Sequence, residues 1–225
     1  MTTSPTATHE SSTAVQVPIA LRTLVDVFAD DRRAFASWLR TIRDERASEV
    51  AMRSYWHFNG FAKLVLQTGQ GYKVRLHVWP PGDDRLGENN PHSHRWNFAS
   101  TVLCGEGLHD IHYREAKSGP TYERYQYTGG NVAGALTHEA TVHLAQHSER
   151  NIRAGERYDL DTTVVHTVRP LGSALIATFV VQGAPLHASA AVYGIPGVNV
   201  DEPGLAISAD EVRSLISQVL DTQGS

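Results

Sequence analysis

The sequence predicts a mainly β fold, an antiparallel barrel or double-sheet jelly roll with helices packed outside it, and three observations predict it. Helical periodicity is confined to the two ends of the chain. The middle consists of short runs rich in Val, Leu, Thr and aromatics, separated by turn residues, and no helices alternate with those runs as a parallel sheet would require. With 225 residues, 41% of them hydrophobic, one barrel domain with a sizeable core is expected.

From Val17 to about Val50 the apolar residues Leu21, Leu24, Val25, Phe28, Phe35, Trp38, Leu39 and Ile42 recur mostly at three- and four-residue steps, the period of an amphipathic helix. Asp30 and Asp31 stand where one helix would stop and the next begin, because aspartate suits an N-cap, so two helices are expected. After Tyr55 the pattern becomes that of strands. FAKLVLQ and YKVRLHVWP are joined by TGQG, and past PGDDRLGENNP come FASTVLCG, GLHDIHYRE, TYERYQYTGG, THEATVHLA, NIRAGERYDLD, VVHTVRP and SALIATFVVQG, with KSGP as a turn.

Near the C-terminus IPGVNVDEPG reads as an irregular arm. Ser208 and Glu211 then have the spacing of a capping box, ahead of a helix whose buried face is Val212, Leu215, Ile216 and Leu220. The expected divisions are a disordered tail over 1–15, N-terminal helices packed on the barrel over 16–54, the barrel over 55–190, and a C-terminal arm and helix over 191–225. Extra hairpins are expected within 105–151.

Lys and Arg number 20 and Asp and Glu 24, a net charge of −4 that leaves no electrostatic footprint for nucleic acid or an anionic membrane. The single cysteine, Cys104, rules out an intrachain disulfide framework and reads as a small buried hydrophobe, compatible with a reducing cytoplasm. MTTSPTATHESSTA has neither the basic start nor the apolar run of a secretory signal, and no stretch approaches the roughly 18 apolar residues of a membrane span. A cytoplasmic protein acting on a small molecule is expected.

The chemistry is concentrated in PHSHRWNF. In a strand, residues two apart project to one face, so His92 and His94 can aim both imidazoles into a barrel. His166, on VVHTVRP, supplies a third imidazole from a strand entering the same barrel. His109 and His112 are three apart, which puts them on opposite faces of a strand, and His143 and His147 fit one helical face but sit in a segment that reads as extended; these four and His138 are read as non-ligands.

At these residues the chain resembles the cupin superfamily, whose two motifs are G-x5-H-x-H-x3/4-E-x6-G and G-x5-P-x-G-x2-H. His92, His94 and Gly105 match the first in register, and Gly155 and His166 match the second at its full spacing. The first motif's glutamate falls at Phe98 or Ala99, neither of which can bind a metal. Its opening glycine falls at Leu86, with Gly87 one place late, and the second motif's Pro and Gly are Asp161 and Thr163. The resemblance implies a double-stranded β-helix, a jelly-roll barrel, holding three histidines without the carboxylate.

Within that superfamily the loss of the glutamate is similar to the thiol dioxygenases, which hold Fe(II) with three histidines, and FAKLVLQTGQGYKVRLHVWPPG looks like the segment preceding their His-x-His. Where that family approaches its substrate with a tyrosine and an arginine, this chain has Phe61 and Lys63, which keeps a cation but not the planar fork. The crosslinking cysteine of some members falls at Ala99, and SALIATFVV lacks the family's His and Tyr.

Lys63 is therefore a candidate clamp for a substrate anion by resemblance and, on the residues alone, a solvated strand lysine. Arg75 and His77 share one face of YKVRLHVW with Lys73, a face that either lines the cavity or meets solvent. Trp96 has the parity of His92 and His94: in a regular strand it shapes the pocket, in a bulged one it is barrel core. Tyr158 and Asp159 are candidate outer partners of a ligand imidazole.

The expected function is a mononuclear non-haem Fe(II) oxygenase, a dioxygenase or oxidase, acting on a small amino-acid-like or thiol-bearing metabolite with O2. Two other classes remain open: a non-redox lyase, isomerase or hydrolase using Zn, Ni or Mn, and a small-molecule-binding barrel without catalysis. The expected partners are the substrate and dioxygen, with a homodimer as a candidate assembly, and neither nucleic acid nor membrane.

Overall fold

The computed structural model describes residues 18–82, 90–129, 135–197 and 204–223. The expected tail over 1–15, the Leu86 and Gly87 positions, and parts of the turn after Trp79 and of the arm after Ile195 lie outside the described residues. Two N-terminal helices, α1 (Ile19–Asp30) and α2 (Arg32–Glu45), meet at Asp31, whose carboxylate accepts a hydrogen bond from the Ala34 amide at 2.9 Å, the cap anticipated from the sequence. A short third helix, α3 (Ala47–Ala51), follows.

Strands begin directly afterwards: β1 (Tyr55–His57), β2 (Phe61–Gly69), β3 (Tyr72–Trp79), β4 (Phe98–Cys104), β5 (Leu108–Tyr127), β6 (Leu136–Ile152), β7 (Arg157–Leu160), β8 (Val165–Pro170), β9 (Ile176–Gly183), β10 (Ala190–Gly194) and β11 (Leu205–Ala206). The larger sheet runs β11-β1-β2-β3-β9-β4-β7. In the smaller one β5 pairs along its length with β6, through its first residues with β8 and through its last with β10. Every pairing among the described strands is antiparallel, and the two sheets form the double-stranded β-helix expected from the sequence. Gly105 takes the chain out of β4 at φ +87°, where an added Cβ would stand 2.4 Å from the Leu175 carbonyl oxygen, so its place demands the absence of a side chain.

KSGP does not form the expected turn. β5 continues through it, with a register shift against β6 between Ala116 and Thr121. The shift absorbs the extra residues as a bulge, and Gly119, at φ +138°, allows the backbone to lie against the Leu144 carbonyl, 2.9 Å from where a Cβ would be. NIRAGERYDLD, expected as one strand, is divided: β6 ends at Ile152 and β7 starts at Arg157, with Gly155 at φ +85° between them.

Two buried clusters lie on opposite faces of the larger sheet. Outside it, Leu64, Leu66, Val74, Leu76, Val78 and Phe179 pack against the helices, with the Phe28 and Phe35 rings 5.0 and 5.1 Å from that of Phe179. Inside it, Phe61, Trp79, Phe98, Leu160, Ile176 and Val180 fill the barrel. Both faces of β2, β3 and β9 are therefore covered, so the polar residues that alternate along β3 point inward. The last helix, α4 (Ala209–Gln223), closes the helical layer with Val212, Leu215, Ile216 and Leu220 buried.

Its capping box is formed as expected: Glu211 Oε2 accepts from the Ser208 amide at 2.8 Å, and the Glu211 amide donates to Ser208 Oγ at 3.2 Å. Glu211 Oε1 also accepts from the indole of Trp56 at 3.0 Å, tying the cap to β1. Ser208→Ala is expected to cost about 1 kcal/mol of stability, measured as a lower denaturant midpoint at unchanged slope. An unchanged midpoint would remove the cap from the account of how α4 is fixed. Among the described residues no helix is long and apolar enough to cross a membrane.

Candidate metal centre

His92 and His94 do not sit in a regular strand. The segment from Asn90 to Asn97 is irregular, and only His92 is bridged, to His166 on β8 and to Val192 on β10. The bridge to His166 is reciprocal: the His92 amide donates to the His166 carbonyl at 3.0 Å, and the His166 amide donates to the His92 carbonyl at 2.9 Å. Two backbone bonds thus fix those two residues relative to each other, and Ser93, whose amide donates to the Ala191 carbonyl at 2.9 Å and whose hydroxyl accepts from the Ala191 amide at 2.9 Å, ties the segment to β10 between the two histidines. The three ring centroids are 5.0, 5.1 and 5.2 Å apart, close to an equilateral triangle.

The nitrogens of that triangle converge. His92, His94 and His166 each offer one within 4.8 Å of the others, and Nε2 of His94 lies 3.0 Å from Nε2 of His166. The outer partners settle which nitrogen of two rings carries a proton. His92 Nδ1 donates to the Asn90 carbonyl at 2.9 Å and His166 Nδ1 donates to Asp110 Oδ1 at 2.9 Å, leaving both Nε2 atoms as lone pairs facing the centre. Burial pushes the His92 imidazole down to about 3 and that of His94 well below its ordinary range, with neighbouring imidazoles acting in the same direction, so both are neutral as ligation requires. Two imidazole nitrogens bonded at right angles to one cation at about 2.1 Å stand about 3 Å apart. The observed separation and the all-imidazole donor set both fit a divalent transition metal.

Asp110 is the residue that the sequence reading missed. It is 0% exposed, and its Oδ2 also accepts from His112 Nε2 at 2.9 Å and Arg150 Nε at 3.1 Å. Burial opposes its ionisation, but the hydrogen bonds from His112 and His166 outweigh that and hold the carboxyl below the usual range. The signal was present in LHDIHY, where Asp110 has the parity of the buried Leu108 on β5. Asp159, expected in this role, is corrected: β7 alternates Tyr158 inward and Asp159 outward, and Asp159 pairs with Arg22 of α1 at 2.6 Å. Tyr158 lines the cavity edge-on to Phe98, at 6.0 Å, rather than bonding a ligand imidazole.

His109 pairs with Glu149 and His138 with Glu123 on the outer faces of β5 and β6, away from the triangle. Phe98, where the motif's glutamate falls, sets its ring edge-on to His94 at 5.1 Å, and Ala99 points out toward the helices. Among the described residues no carboxylate joins the cluster.

The triangle opens into a cavity of about 140 Å³ to which every sequence-chosen substrate candidate contributes: Phe61, Lys63, Arg75, His77 and Trp96. Arg75 and His77 therefore face the interior and not solvent, because the helices occupy the other side of β3. Trp96 lies in the bend before β4, its ring 5.9 Å from that of His94 and 5.1 Å from the Arg75 guanidinium carbon. His57 stacks on Phe61 at 4.7 Å, accepting at Nδ1 from the Asn59 amide. Lys63 Nζ donates to the Tyr55 hydroxyl at 2.8 Å, and burial together with Arg75 depresses the Lys63 ammonium well below its ordinary range.

Arg75 is 6% exposed, its Nε has no hydrogen-bond partner, and among the described residues no carboxylate pairs with it. Burial pushes it down to about 10, so it remains charged at neutral pH. Arg95 is a third cation on the lining, and no Asp or Glu lines the cavity among the described residues.

No protein-family model matches the chain, and no curated protein matches it. Among solved structures it is similar to hydroxypropylphosphonic acid epoxidase from S. wedmorenis, at 11% identity over 57% of this chain and 53% of that one, with a TM-score of 0.34. The chain thus spans about half the length of that epoxidase. An oxalate oxidase in complex with the substrate analogue glycolate is 19% identical over 72% of this chain and 73% of that one, with a TM-score of 0.34. A Klebsiella pneumoniae protein with a double-stranded β-helix domain is 19% identical over 63% of this chain and 92% of that one, with a TM-score of 0.33. At such identities and scores, chemistry has to be argued from this chain's own residues.

Proposed function

We propose that the chain is a mononuclear non-haem Fe(II) oxygenase that uses dioxygen on a small anionic metabolite, amino-acid-like or thiol-bearing. The observation that carries this is the convergence of three imidazoles, joined by no carboxylate among the described residues, in a cavity whose lining carries Arg75 and Arg95 and no Asp or Glu among those residues. Iron held by His92, His94 and His166 would supply the redox chemistry that brings substrate and dioxygen to reaction. Three neutral donors offset none of a divalent cation's charge, so an anionic substrate atom, thiolate, enolate or carboxylate, suits the site better than a neutral one.

The rest of the work falls to the chain. Asp110 holds the His166 proton on Nδ1 and thereby aims Nε2 inward. Lys63 and Arg75 receive the substrate carboxylate, which gives the buried guanidinium the counter-charge it lacks. Phe61, Trp96 and Phe98 exclude water from that pair and so strengthen it.

Metal content and oxygen uptake of the wild type and of His94→Ala test the proposal. The wild type is expected to bind one iron per chain and consume oxygen with its substrate, and His94→Ala to do neither. Protein that stays inert after anaerobic Fe(II) loading, or that turns substrate over without oxygen on Zn, Ni or Mn, would displace it.

A further inference from the structure

A second cavity, of about 300 Å³, lies beside the first, and Tyr55, Lys63, Arg75, Arg95, Trp96 and Tyr127 line both. The inner cavity alone falls short of the roughly 300–1,000 Å³ typical of ligand sites, whereas the two together reach it. The outer one adds Arg53 and Lys73 to the shared Lys63, Arg75 and Arg95, and no Asp or Glu lines it among the described residues.

These cations are not equally available. Arg53 is committed: its Nε and Nη2 donate to the Val65 and Leu66 carbonyls at 2.6 and 2.7 Å, and its Nη1 to Glu49 at 2.5 Å. Arg95 donates through Nη1 to the Thr128 and Ala188 carbonyls, leaving its Nε buried without a partner. Arg75 Nε is in the same position, and Lys73 stands next along the same face of β3, exposed at the mouth. A single carboxylate on the inner side of Arg75 leaves Arg95 and Lys73 without a counter-charge among the described residues that line the cavity. Partial burial and the nearby Arg75 and Arg95 already push the Lys73 ammonium down, the mark of a crowded positive field.

We propose that the outer cavity binds a second anionic group of the substrate, a carboxylate or phosphate, so that the ligand is an elongated dianion. Its reacting end meets His92, His94 and His166, its first anionic group meets Arg75 from the inner side, and its tail meets Lys73 and Arg95. The identity of the reacting end rests on the oxygenase proposal; the dianion does not.

Calorimetric titration of the purified protein, metal-free and anaerobically Fe(II)-loaded, tests this with acetate, linear dicarboxylates from succinate to pimelate, and phosphonocarboxylates of matching length. One chain length is expected to bind at least about tenfold more tightly than acetate, the gain from one added charge-assisted contact. Tighter binding of the matching phosphonocarboxylate assigns the tail as phosphate, and weaker binding assigns it as carboxylate. Lys73→Glu and Lys73→Gln, both at an exposed position, are expected to erase the gain, read in each variant as the ratio of dicarboxylate to acetate affinity. Dicarboxylates no tighter than acetate at every length, or a gain that survives both substitutions, would overturn the inference. Protein that takes up no iron yet prefers dianions keeps it and sinks the oxygenase, whereas iron uptake without that preference sinks this inference alone.

Discussion

His166→Ala is expected to lose its metal outright, and Asp110→Asn to keep it with affinity reduced about 10–100-fold. The histidine gives one of the three donor atoms that the described residues bring to the cluster, and among those residues the nearest side chains cannot replace it: Phe98 and Trp96 are not ligands, and Asp110 lies behind the ring, on its Nδ1 side. The aspartate acts through the imidazole. Its Oδ1 fixes the tautomer that leaves Nε2 free, and its charge makes that nitrogen a better donor, while Oδ2 takes the protons of His112 and Arg150. An asparagine can still accept from His166, but its amide hydrogens then face those two donors, so the ring is held less firmly and without charge. Competition with a chromogenic chelator reads both variants, with far-UV circular dichroism confirming the β fold. One equivalent of metal retained by His166→Ala would place the centre elsewhere, and wild-type affinity in Asp110→Asn would reduce the carboxylate to a packing role.

The parts of this site legible in sequence are those governed by local spacing. His92 and His94 are two apart in the chain and reach one cluster, with His92 anchored by its bridge to His166, and Gly105 is needed because the exit from β4 requires positive φ. The caps at Asp31 and Ser208 are equally local, since a side chain reaches an amide only three residues on. What was not legible depends on what covers each face. Alternation along β3 shows that Arg75 and His77 share a side. Only the helices packed over Val74, Leu76 and Val78 decide that this side is the interior. Asp110 was missed for a related reason: its partner is a histidine on another strand, which the β5–β8 register sets opposite His112 and so diagonal to Asp110, and the nearer-looking Asp159 is turned outward by the alternation of β7. KSGP has the composition of a turn, but continuous pairing with β6 overrides it.

Arg75→Met is expected to make the protein more stable and worse at binding anions. The guanidinium is held inside the barrel without a counter-ion among the described residues, and burial pushes it down only to about 10, so at neutral pH the charge persists in a poorly hydrated place. An apolar side chain of similar length can occupy the space beside Trp96 without that desolvation cost. Replacing buried charge by well-packed apolar groups gains about 1–4 kcal/mol where it has been tried. In a chain of this size that raises the melting temperature by several degrees, at about 2–4 °C per kcal/mol. The same substitution removes a charge-assisted contact of about 1.5–3 kcal/mol with a bound carboxylate, weakening its binding by roughly one to two orders of magnitude. Thermal unfolding and titration with acetate, carried out on the same preparation, separate the two effects. A lower melting temperature would make Arg75 part of the scaffold, and undiminished anion affinity would leave Lys63 as the clamp. The expected combination, stability gained and binding lost, is what a charge kept for a ligand produces.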